Sequence, residues 1–397
     1  MSSLSSKERM LAVTRYEEPD HVPLIMNTFG FNPPAHLAWS DRVEEAQKWL
    51  SIGLDAWLHL SPPQQFHPDV QIREWTEAPP DERWPVMIRE YETPAGVFRQ
   101  EVYRTDDWIS PDWPGHKSGG GGLELFDDFN VARYRRCPVR DERDLERLKY
   151  LLRPPDGDAL AEFRAQAATV ARQAEELGVI VLGGGPGGAD IATWLCGVEP
   201  MLMMAIDCPQ MFEALLDIVQ AWDTRAVELL LDARVDLIMR RGYYEGTSFW
   251  SPALYRRFLA PRLQELVGLA HQGGRPLGYT MSVGVMPLLD ILVEIGYDVH
   301  YLFDPIPLGT RVDLQRVKET FSGRIGIIGG LNEPITLERG SREEIRQEVF
   351  DAVQILGPGG GLALSPAEAI VASTPWSSIE ILMEAWREVR DYPIQAA

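Results

Sequence analysis

Short β-rich runs alternating with longer stretches of helical periodicity constrain this chain more than any other feature. The runs are His21–Asn27, Asp55–Ser61, Val179–Gly183, Val235–Arg240, Pro276–Met281, Asp298–Phe303, Arg324–Ile328 and Gly361–Ser365. Between them lie amphipathic segments such as Arg42–Leu50, Asp207–Ala233 and Ser341–Gly357. The last opens with Ser341 three residues before Glu344, a capping-box spacing, and ends at Gly357, which is read as its C′ residue. Strand, helix, strand in repetition implies right-handed crossovers and a parallel sheet. A count of about eight strands favours a closed (β/α)8 TIM barrel over an open doubly wound sheet.

One region interrupts the alternation. Residues 62–140, after the second strand, are rich in Trp, Pro and charge, and Val86–Thr105 reads as a β-hairpin around Pro-Ala-Gly. Ser118–Phe129 (SGGGGLELFDDF) reads as a flexible loop. The expectation is one barrel domain over residues 1–397 carrying this insertion as a lid or dimer surface, because such insertions fall on the catalytic face.

The formal net charge is −21, which argues against nucleic acid and anionic membrane surfaces as partners. Three cysteines, Cys137, Cys196 and Cys208, lack CxxC or CxH spacing and read as reduced thiols. With no signal-like segment and no apolar run of spanning length, the expected location is the cytoplasm.

In barrels the chemistry sits at the C-terminal ends of the strands. That rule selects Asn27, His59, the glycines of Gly183–Gly188, Arg240, Arg241, Tyr243, Tyr244, Glu245, Tyr279, Ser282, Asp304, Asn332, Glu333 and Glu368. Of these, Tyr244, Glu245, Tyr279, Asp304 and Glu368 are the catalytic candidates, since buried carboxyls and phenols can deliver protons. Asn27, His59, Arg240, Arg241, Tyr243, Ser282 and Asn332 are the substrate-binding candidates. For any one of them a structural role competes on even terms. Gly183–Gly188 lacks both Walker and GxGxxG spacing, so it lets backbone approach a ligand or simply turns. His300 reads as a satisfied core histidine, and Met201–Met204 (MLMM) as helix core.

Four segments then carry a family resemblance. Lys7–Leu24 (KERMLAVTRYEEPDHVPL), Phe249–Val267 (FWSPALYRRFLAPRLQELV), Ile328–Ile370 and Thr374–Val389 resemble, in order, segments of the uroporphyrinogen decarboxylase superfamily. That superfamily includes the corrinoid-linked methyltransferases, and the resemblance implies a (β/α)8 barrel enzyme and a homodimer. The decarboxylase's Arg-Gln-Ala-Gly-Arg motif is replaced by Met26–His36, which holds no arginine, and its Gly-His-Gly by Ser365–Glu368. The methyltransferase branch binds zinc through His-x-Cys and a further Cys; here those positions read Tyr279, Met281 and Glu368. No standard zinc site, and no metal ligand set, is therefore expected. The resemblance implies a methyltransferase-like activity on a small methylated compound or a corrinoid carrier. Any corrinoid would arrive on a separate protein, since no Asp-x-His-x-x-Gly motif is present. Two alternatives stand beside it: a cofactor-free decarboxylase using Arg240, Arg241 and Asp304, and a non-catalytic ligand-binding paralogue.

Overall fold

In the computed structural model, residues 4–106 and 123–394 are described. The chain separates into two compact units. One comprises Met1–Ser61, Arg164–Gly185 and Val227–Ala397, the other Pro62–Phe163 and Pro186–Ala226.

The first unit is built on a curled parallel sheet of seven strands. Their order is β1 (Trp57–Leu60), β6 (Ile180–Gly183), β7 (Leu237–Arg240), β8 (Leu277–Thr280), β9 (Val299–Phe303), β10 (Gly326–Leu331) and β11 (Leu362–Pro366). Every residue of β6 to β11 is buried, as expected of parallel strands covered on both faces. In β1 only His59 is exposed. Trp57, Leu182, Met239, Tyr301 and Ile328 belong to one core cluster, so the inward-facing residues pack against each other.

The run expected at His21–Asn27 forms no full strand. Its residues Pro23–Ile25 instead bond to both sheet edges. Leu364 donates to the Pro23 carbonyl (2.8 Å), Ile25 donates to Leu364 (2.9 Å), and Asp55 donates to Leu24 (2.9 Å). Proline supplies no N–H, which limits the ladder this segment can build. β10 also departs from expectation, running past Ile328 through two glycines to Leu331. A side chain at Gly329 would meet the Phe303 backbone at 2.5 Å, so glycine extends the strand where it reads as an end. The same place carries a bulge: Leu302 is skipped in the pairing and sits at φ +60°. A bulge re-aims the residues that follow it, here Phe303 and Asp304.

α12 (Arg342–Leu356) has the expected Ser341–Glu344 capping box. Gly357 is not a left-handed C′ residue, because its φ is −72°; positive φ begins at Gly359.

The second unit carries a four-stranded antiparallel sheet in the order β2 (Gln71–Glu77), β3 (Val86–Thr93), β4 (Gly96–Tyr103), β5 (Tyr134–Arg136). Its helices include α3 (Glu142–Leu148), α5 (Gly188–Cys196) and α6 (Val198–Asp207). It extends beyond residues 62–140 on both counts of chain, through Phe163 and over Pro186–Ala226. Of the loop expected at Ser118–Phe129, residues 118–122 lie outside the described residues. Met201–Met204 is only partly core: Met201 is buried, but Met203 is 48% exposed, because the helix turns that residue to solvent. No single described helix is long and apolar enough to cross a membrane.

Asp55 anchors the sheet closure. One carboxylate oxygen accepts from the Leu24 N–H (3.2 Å) and the other from Arg9 Nε (2.9 Å), and the carboxylate is fully buried. Breaking a buried ion pair from one side costs about 3–5 kcal/mol. Asp55→Ala should therefore lower unfolding free energy by about 3 kcal/mol in urea titrations. A loss below about 1 kcal/mol would show that the pair does not hold the edge.

Candidate functional site

The strand-end residues of the first unit fall into three groups. The first is buried. Arg240 at the end of β7 bonds Glu245 and the Arg241 carbonyl. Glu245 also accepts the Tyr279 hydroxyl at 2.5 Å, and Tyr255 donates to Tyr279 at 3.2 Å. Glu245 and Tyr279 have no exposed surface, and the Arg240 guanidinium lies 5.4 Å from the Tyr279 ring centre. Burial, then the Glu245 charge, pushes the Tyr279 phenol well above its ordinary value. The loops that carry this group meet backbone to backbone. A side chain at Gly246 would lie 1.9 Å from the Val283 carbonyl oxygen, and Thr247 N–H donates to Gly284 at 3.3 Å. Next to it, Tyr297 and the Met281 carbonyl hold the two His300 ring nitrogens, each at 2.8 Å. Burial lowers the His300 pKa to about 4, so it is the neutral core histidine that the sequence suggests.

The second group sits at the ends of β8 to β11 and on α12 and consists of carboxyl groups that make no salt bridge among the described residues; Arg311 and Arg339 act on Glu348 and Glu333 only as weaker electrostatic influences. Asp304 accepts two bonds from the Asn332 side-chain amide (both 3.1 Å) and one from the Ile306 N–H (2.8 Å). Burial nevertheless raises its pKa. Glu368 accepts from the Ser282 side chain; burial raises its pKa, and Asp304 and Glu333 add to the rise. Glu333 accepts the Thr374 hydroxyl at 2.5 Å and is also raised by burial. Glu348, on α12, accepts the Asn332 N–H (2.6 Å) and the Thr336 hydroxyl (2.7 Å), and burial lifts it to about 7. Tyr301 connects this group to β7: burial raises its pKa, and Tyr243 and Glu368 act on it electrostatically. Tyr243 is half-buried with the Arg241 guanidinium 4.9 Å from its ring centre.

The third group lines a cavity of about 60 Å³ at the ends of β1 and residues 26–28, and includes Asn27, His59, Trp57 and Arg42. Arg42 bonds Thr28 (3.1 Å) and Glu45. Surrounding protein first, and Arg42 second, disfavour the His59 imidazolium, though its exposed face lets water moderate the effect. Asn27 and Ile370 are joined by a 2.8 Å backbone bond, so this group adjoins the residues after β11.

Tyr244 precedes Glu245 in the loop after β7. Its ring packs on Phe249 (5.3 Å), and its carbonyl accepts from Trp250. The Gly183–Gly188 run serves as a turn into α5, where the Gly187 and Gly188 N–H groups both bind the buried Asp223 carboxylate at 2.8 Å. Sequence reasoning missed Arg42, Tyr301 and Glu348. Glu348 had a readable signal, since it falls on the buried stripe Ile345, Val349, Ala352, Val353 of α12. Arg42 directly follows the Asp41 cap of α2 (Arg42–Ser51), a position without chemical signature.

Comparison with known proteins adds three findings. The profile described as uroporphyrinogen decarboxylase (URO-D) matches residues 132–389. The methylcobamide:CoM methyltransferase MtaA of Methanosarcina barkeri is 24% identical over 225 residues, 55% of this chain and 61% of that protein. The same protein of the Fusaro strain is 23% identical over 226 residues, again 61% of its length. The aligned stretch thus spans about three-fifths of these relatives. Among solved structures, a methyltransferase from Methanosarcina mazei shares the fold, with a TM-score of 0.58 and 18% identity over 97% of this chain and 99% of its own.

Glu348 makes the pH behaviour of this group testable. A carboxyl that is raised in the folded state binds more protons there than in the unfolded chain. Stability attributable to it is therefore full at low pH and is lost as pH rises from about 4.5 to about 7. The slope is at most about 1.4 kcal/mol per pH unit for one group. Urea titrations between those limits should show wild type losing stability relative to Glu348→Gln as pH rises; parallel curves would overturn the assignment.

Proposed function

This chain belongs to the uroporphyrinogen decarboxylase family, and from that premise we propose a methyltransferase-like enzyme acting on a small methylated compound. Its curled sheet works as a (β/α)8 barrel, residues 1–397 as one domain, with residues 22–25 standing in for the first strand. The observation that carries the reading is Glu368: a half-buried carboxyl at the end of β11, held by Ser282 and raised by burial, with Asp304 and Tyr301 as neighbours.

A carboxyl whose pKa is raised by burial holds its proton more readily, which suits a donor whose leaving atom needs a proton, such as an O-methyl or S-methyl compound. As the carbon–heteroatom bond breaks, its electron pair stays on the heteroatom and the Glu368 proton neutralises it. Ser282 fixes the carboxyl, Asn332 and the Ile306 N–H hold Asp304, and Tyr243 and Tyr301 form an aromatic wall beside them. Asn27, bonded to Ile370 two residues past Glu368, lines one small cavity with His59. A corrinoid on a separate protein would supply the methyl acceptor; the MtaA relatives are named for the opposite direction, with a methylcobamide as donor.

The donor set does not suit a thiol-activating zinc. Tyr279 keeps its proton and donates a hydrogen bond to Glu245, Met281 is a buried thioether, and only Glu368 remains as a good ligand. Among the described residues no three His, Cys, Asp or Glu side chains converge to hold a metal ion. The proposed chemistry runs without it. Asp304, also raised by burial, supports the decarboxylase as a second reading; Arg240 weakens it, since Glu245 already holds the guanidinium.

Methylation of free cob(I)alamin by O- and S-methyl donors, followed by absorbance, tests the reading. Wild type should turn over, and Glu368→Gln should lower kcat by about 10²-fold or more with an unchanged urea midpoint. Turnover of carboxylated compounds instead, or full activity in the variant, would sink it. Elemental mass spectrometry should find zinc well below one per chain; about one per chain, lost in Glu368→Ala, would restore a zinc site.

A further inference from the structure

The second unit contains a cavity of about 570 Å³ framed by β5, the residues after it, α6 and the start of α7 (Pro209–Asp232). Its size lies within the range of small-molecule pockets. Its lining is unusual for a chain of net charge −21, because Arg135, Arg136 and Arg140 face a single carboxylate, Asp207. Arg135 is compensated by Glu82 (3.1 Å) and Glu101 (2.7 Å). The guanidinium groups of Arg136 and Arg140 have no ion pair or hydrogen bond among the described residues, and Arg136 Nε is buried without a partner.

The rest of the wall is soft and apolar. Met203, Met204 and Met211 line it, and Met203 is 48% exposed. Methionine is flexible and polarizable, so three of them form a surface that adapts to an irregular apolar body. Leaving such a surface wet is unfavourable, as is leaving a buried guanidinium nitrogen unbonded. One occupant relieves both: an anionic head that accepts from guanidinium donors, attached to an apolar tail.

We propose that this cavity binds a small organic anion, a carboxylate or sulfonate with an aliphatic body, its head on Arg136 and Arg140 and its tail on the methionines. Guanidinium matches the planar, two-oxygen carboxylate better than any other side chain does. Charge complementarity makes the anion, rather than a neutral amphiphile, the ligand.

A reporter is built into the wall. Cys208 lines the cavity and is exposed, whereas Cys196 is buried and burial pushes the Cys137 thiol up to about 11. Alkylation by a maleimide at neutral pH, read by mass spectrometry of the full chain, therefore reports on Cys208. Decanoate below its micelle concentration should slow that reaction saturably. Decanol and decyltrimethylammonium should protect about tenfold less well at equal concentration. The double variant Arg136→Gln, Arg140→Gln should keep the unliganded rate and the far-UV melting curve but need about tenfold more decanoate. Equal protection by all three amphiphiles, or by decanoate in wild type and variant alike, would reduce the cavity to an apolar surface and overturn the proposal. So would the absence of any protection by decanoate.

Discussion

A parallel sheet cannot end without leaving a row of backbone donors and acceptors unpaired, and the first unit depends on how its two edges, β1 and β11, are satisfied. Three residues meet that demand from both sides. Pro23 offers its carbonyl to Leu364, Ile25 offers its N–H to the same residue, and Leu24 offers its carbonyl to Asp55. The remaining donor, the Leu24 N–H, goes to the Asp55 carboxylate, which Arg9 neutralises. A side chain thus replaces a ladder bond that a longer strand would have made. The consequence reaches the site, because the residues that follow, Asn27 to Phe29, continue alongside Ile370 and bring the first strand end beside the last.

The alternation of elements was legible because it depends on local periodicity, and seven of the eight expected runs contain a strand. Where the reading slipped, a tertiary contact overrode a local signal. The glycines after Ile328 look like a terminator but allow β9 to approach, and the strand continues. MLMM looks like core by composition, yet at helical spacing one of its members must face outward, and Met203 does. The strand ends named the residues of the site without revealing how they divide. Nothing in the residue types of Arg240, Glu245 and Tyr279 says that they bond each other, since the partners come from different strands and loops.

That division follows from one physical difference. Glu245 and Glu368 are both glutamates that follow strands of the parallel sheet. Glu245 is completely buried, but a guanidinium and a phenol satisfy it, so removal from water is offset by charge and hydrogen bonds. Glu368, Asp304 and Glu348 are withdrawn from water with amide, hydroxyl and backbone donors around them and, among the described residues, no directly bonded cation. Neutral donors only partly replace hydration of a carboxylate, so these groups favour the protonated form.

The same contrast indicates why the two groups cannot exchange roles. A carboxylate bonded to arginine is held in its charged form, and Glu245 ties the loop after β7 to Tyr279 of β8. A cluster of uncompensated carboxyls is a poor structural element, because each added charge raises the pKa of the others; Asp304 and Glu333 do this to Glu368. The strands that carry these groups, β9 to β11, are themselves fully buried. In the first arrangement a cation and a phenol satisfy the charge, and in the second burial shifts the carboxyls toward their protonated forms. The two arrangements meet at β8, which carries Tyr279 of the first and is followed by Ser282, the partner of Glu368 in the second.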